Sequence, residues 1–79
     1  MHADICKPDD TAAVERFRGV LHRLGAVRQA KDWVPVCDIY RMKIGDDELT
    51  IFCDELSLDI EGSDDLVHRV LREYEQTMA

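Results

Sequence analysis

Residues Glu48–Glu61, ELTIFCDELSLDIE, decide the fold. The first half sets Leu49, Ile51 and Cys53 on one face of an extended chain, the second sets Leu56, Leu58 and Ile60 on one face, and the parity changes between Cys53 and Leu56. A single straight strand would put one of these apolar rows in water. Two antiparallel strands joined by a two-residue loop at Asp54 and Glu55 put both rows on the same side, with Cys53 opposite Leu56. Asp-Glu is not a favoured hairpin pair, and a longer strand bulged at this point is the alternative. In either case Thr50, Asp54, Ser57, Asp59 and Glu61 make the other face polar.

Working back from this stretch, Gly45, Asp46 and Asp47 supply turn chemistry after a strand over Val36–Ile44. That strand carries Val36, Tyr40, Met42 and Ile44 on one face and Cys37, Ile39, Arg41 and Lys43 on the other. Pairing Ile44 with Leu49 brings the apolar rows together, and a tighter turn would shift the register by two. Asp38 interrupts the apolar row, as a functional carboxylate or as a solvated strand end. Ala26–Lys31 is either a short edge strand or irregular chain, and Asp32–Pro35 reads as a connection. Trp33 within it is either a lid on the core or a contact for a partner.

Helical periodicity brackets these strands. Ala13, Val14, Phe17, Val20, Leu21 and Leu24 form one stripe after the capping candidates Asp9, Asp10 and Thr11, and Gly25 is the natural stop. Ser63 caps a second helix, Asp64 and Asp65 suit its first turn, and Leu66, Val67, Val70, Leu71 and Tyr74 form its stripe to about Gln76. The expected architecture is α+β, a two-layer sandwich: an antiparallel sheet of three to four strands with both helices on one face, in the order α-(β)-β-β-β-α. Residues 1–8 are expected to be a flexible N-terminal tail, and residues 9–79 a single domain.

At 79 residues, 46% hydrophobic and 34% charged, the chain suits one small soluble domain with a stability on the order of 4 to 12 kcal/mol. No stretch approaches the roughly 18 apolar residues of a membrane-spanning helix, and the polar start does not resemble a signal peptide, so a cytoplasmic location is expected. Cys6, Cys37 and Cys53 are odd in number and widely spaced, which argues against a disulfide framework. The formal net charge of −7 disfavours duplex DNA. Its distribution is uneven: bases outnumber acids from Thr11 to Lys43, whereas Asp46–Asp65 contains acids and no base.

Nothing in the chain spells a reaction. His2, His22 and His68 have no zinc-type spacing with one another or with cysteine, the nucleophile elbow, dinucleotide fingerprint and P-loop are absent, and the Asp46-Asp47-Glu48 turn lacks the spaced ligands of a calcium loop. No catalytic residue, metal site or cofactor is assigned. The expectation is a non-catalytic protein-interaction module, an adaptor, inhibitor or regulatory subunit. Its contact residues are Ile39 and Phe52 as apolar anchors among Asp54, Glu55, Asp59 and Glu61, a set that suits a basic partner and equally a homodimer interface. The alternative is anion or single-stranded RNA binding by Arg16, Arg23 and Arg28 around Gly19, where a small helical residue flanked by guanidinium groups admits close approach.

Overall fold

The computed structural model describes residues 1–34 and 37–77 and, of residues 32–34, the backbone alone. The elements in order are β1 (His2–Cys6), α1 (Thr11–Arg23), β2 (Val27–Val34), β3 (Cys37–Ile44), β4 (Asp47–Asp54), β5 (Leu58–Glu61) and α2 (Asp64–Gln76). All five strands form one antiparallel sheet in the order β1-β5-β4-β3-β2. The chain thus begins at one edge, crosses by way of α1 to the opposite edge, and meanders back until β5 lies beside β1.

Two strands differ from expectation. Ala26–Lys31 resolves as the edge strand β2, which continues to Val34 where a connection was expected. Residues 2–6, expected to be tail, pair with β5 as Ala3↔Ile60 and Asp4↔Asp59. A bulge between Asp4 and Cys6 then lets both Ile5 and Cys6 pack against the core. The sheet therefore has five strands rather than three or four. Val36 and the side chain of Trp33 lie outside the described residues.

The two hairpins show how local chemistry sets register. Between β3 and β4 the loop is Gly45-Asp46, with Gly45 at φ 63°, and the pairs are Ile44↔Asp47, Met42↔Leu49 and Tyr40↔Ile51. This is the tighter of the two registers considered, and a positive φ at the first loop residue alone fits the type II′ turn that matches strand twist. Between β4 and β5, Cys53 faces Leu58, not Leu56, and the two-residue loop is Glu55-Leu56. Asp54 causes the slip. Its carboxylate accepts the amide hydrogens of both Leu56 and Ser57 at 2.8 Å, while its own amide donates to the Ser57 carbonyl at 3.1 Å. Leu56 is consequently 82% exposed instead of joining the apolar row.

The buried row of the sheet, Ile44, Leu49, Ile51, Leu58 and Ile60, joins Phe17, Val20 and Leu21 of α1 and Leu66, Val67, Val70 and Tyr74 of α2 in one cluster. Each such fully buried side chain contributes about 1.5 to 3 kcal/mol. Asp10 caps α1 by accepting from the Ala13 amide at 3.1 Å, and Ser63 caps α2 by accepting from Leu66 at 3.3 Å. At the end of α1, Gly25 adopts φ 76°, its amide donates to the His22 carbonyl, and the Ala26 amide donates to that of Leu21, the bond pair of a Schellman motif. Coverage of the sheet is uneven. The helices approach each other and β1 most closely, and α2 also β4; of the described inward residues of β3, Ile44 is buried while Tyr40 and Met42 are only partly buried against the core.

Candidate functional site

Strand alternation presents one row of residues on the outer face, the side away from the buried cluster. The register aligns Asp4, Asp59, Phe52 and Ile39 across β1, β5, β4 and β3. Phe52 therefore sits between Ile39 and Asp59, and all three are half-buried. Three of the six nominated contact residues are brought together here. Glu61 is exposed in the neighbouring row, opposite Thr50 and His2. Asp54 and Glu55 lie at the β4–β5 turn, where Asp54 is engaged by backbone amides.

His2 and Asp4 complete this surface, and neither was nominated from the sequence. The His2 ring lies 6.0 Å from that of Phe52 at a 34° tilt, and its Nε2 is 3.1 Å from Asp59 Oδ2. Burial works against the charged form of Asp59, but His2, with smaller contributions from the adjacent Ser57 and Asp4 side chains, outweighs it and holds the carboxyl below its ordinary value. Of these only His2 lies in bonding geometry; among the described residues Asp59 Oδ1 is buried without a partner. One donor atom each from His2, Asp4 and Asp59 fall within 4.8 Å of one another, a nitrogen and two oxygens of the kind that hold divalent cations. The acids of the Asp46-Asp47-Glu48 turn form no such group. Arg41 and Lys43 of β3 share the outer face, as alternation expects, and stand opposite Thr50 and Glu48.

The basic set nominated on α1 is dispersed. Arg16 lies over the Tyr74 ring at 5.4 Å and donates to its hydroxyl at 3.3 Å, and Arg23 pairs with Glu73 at 3.7 Å. Both guanidinium groups thus engage α2. Arg28 stands apart on β2, its backbone opposite Met42.

The three cysteines are free. Burial, reinforced by Asp10, pushes the Cys6 thiol up; burial, reinforced by Asp38, does the same to Cys53. Neither has the lowered pKa of a nucleophile. A cleft of about 420 Å³ opens between α1 and the sheet, floored by Tyr40, Met42, Ile51, Cys53 and Leu58 and walled by Phe17, Leu21, Arg18 and Arg28. No described helix is long and apolar enough to cross a membrane. No protein-family model, curated protein or solved structure matches this chain.

Proposed function

We propose that this chain is a small non-catalytic protein-interaction module, an adaptor, inhibitor or regulatory subunit, acting through the outer face of a two-layer sandwich whose helices roof the inner face. The observation that carries the reading is the row Ile39, Phe52, Asp59: an aromatic anchor flanked by an aliphatic side chain and a carboxylate, on strands that fix its geometry. Asp4, Asp59 and Glu61 surround Phe52 with acids on the β1–β5 side, which suits a basic partner and would speed its encounter. Three free cysteines suit a reducing, cytoplasmic setting. Anion or single-stranded RNA binding by α1 would have to proceed with Arg16 and Arg23 already engaged by α2.

The test compares capture from native lysate by the wild-type chain and by Phe52→Ser and Glu61→Lys, each confirmed folded by circular dichroism. A basic protein retained by the wild type and lost by both variants supports the proposal. Identical capture by all three overturns it. Light scattering at micromolar concentration distinguishes a partner from a second copy, since a Phe52-dependent doubling of mass assigns the face to homodimerisation.

A further inference from the structure

We propose that the cleft between α1 and the β3–β2 side of the sheet binds a free anionic amphiphile, its apolar part on Phe17, Leu21, Met42 and Ile51 and its acid group at Arg28. This site is distinct from the outer sheet face and does not depend on it. On this side α1 stands off from the inner face of the sheet, leaving a space between its Phe17, Arg18 and Leu21 and the strand residues Arg28, Tyr40 and Met42. The space of about 420 Å³ that results lies in the range of roughly 300 to 1,000 Å³ typical of small-molecule sites, and like them it is mainly apolar with a few polar groups.

Charge selects the ligand class. The chain carries a net charge of −7, yet the charged residues lining this cleft are Arg18 and Arg28. Among the described residues Arg18 is held only by an exposed contact with Glu15 at 3.4 Å, an interaction of little net strength. Among the described residues Arg28 has no hydrogen-bond or ion-pair partner. Lys31, the next inward position of β2, lies over the Tyr40 ring at 5.2 Å and adds a third cation on this side, against one inward carboxylate, Asp38, opposite Cys53. A carboxylate, sulfonate or phosphate with an apolar body matches a greasy floor with guanidinium groups on its wall. Inward cations on an edge strand can also serve solely to deter strand pairing, and the experiment separates that role from ligand binding.

The probe is 8-anilinonaphthalene-1-sulfonate, titrated into the folded chain and displaced with decanoate or with decyltrimethylammonium, which offers the same chain length and opposite charge. The expected result is saturable binding at one site, displaced by decanoate at a concentration about tenfold or more below that needed for the cation. Arg28→Glu should weaken decanoate by a similar factor, the loss expected for one charged hydrogen bond. Met42→Trp, which fills the floor, should abolish the site; maleimide labelling of Cys53 should slow when decanoate is bound to the wild type. Equal displacement by both amphiphiles, or unchanged affinity in Arg28→Glu, overturns the proposal. So does sedimentation with phosphatidylglycerol vesicles without affinity for free decanoate, which would assign the cleft to a membrane surface.

Discussion

Asp54, nominated as a contact residue, also serves the backbone. With two amide hydrogens donated to one carboxylate oxygen, Asp54→Ala should destabilise the chain by about 1 to 2 kcal/mol. Asp54→Asn keeps an oxygen acceptor and should cost clearly less, a contrast that urea denaturation resolves. Asp59 behaves differently because its carboxyl titrates below the ordinary value when folded. A depressed folded pKa means stability that is present above the unfolded value, about 3.9, and lost as pH falls through the folded one. The advantage of wild type over Asp59→Asn should therefore be full near pH 5 and shrink from about pH 4 downward, as measured by urea midpoints across that range.

Among the elements, α1 carries an unforced cost. A Cβ built on Gly19 meets no heavy atom within 4 Å, and the backbone there is ordinary helix. Gly19→Ala should raise stability by about 1 kcal/mol, read as a higher thermal midpoint. If the same substitution left any RNA affinity unchanged, Gly19 would have no role in close approach. The two helices, β3 and β4 were legible in the sequence because their apolar spacing is long and clean, and the polar and apolar rows of β4 and β5, Leu56 excepted, fall on the faces that parity assigned them. The edge strands were not. β1 offers only five residues, with the small Ala3 facing in and a bulge before Cys6, and β2 places Arg28 and Lys31 at inward positions where an apolar row would announce a strand. The outer-face residues Ile39, Phe52 and Asp59 were found by alternation. His2 and Asp4 escaped because their places depend on pairing with residues 57 and 55 positions further along, which no local pattern encodes.

For the molecule as a whole, the decisive asymmetry is how much each strand buries. β4 and β5 bury Leu49, Ile51, Leu58 and Ile60, whereas no described side chain of β2 is buried. Among the described residues β2 is tied to the domain mainly by its ladder to β3, and that ladder is broken by a bulge between Arg28 and Ala30. Local opening free energy follows buried apolar contact, so the domain should not open as one unit. In native-state hydrogen exchange at low denaturant, amides of β4, β5 and α2 should exchange only through global unfolding, at the roughly 4 to 12 kcal/mol expected for this length. Those of β2 should open below that limit and with less denaturant dependence, because less surface is exposed when an edge strand detaches. Equal opening free energies in β2 and β4 would mean that the edge is held by something other than its ladder. A ligand seated in the cleft would produce that equality only when present, so exchange with and without decanoate also reports whether the open end of the sheet is completed by what it binds.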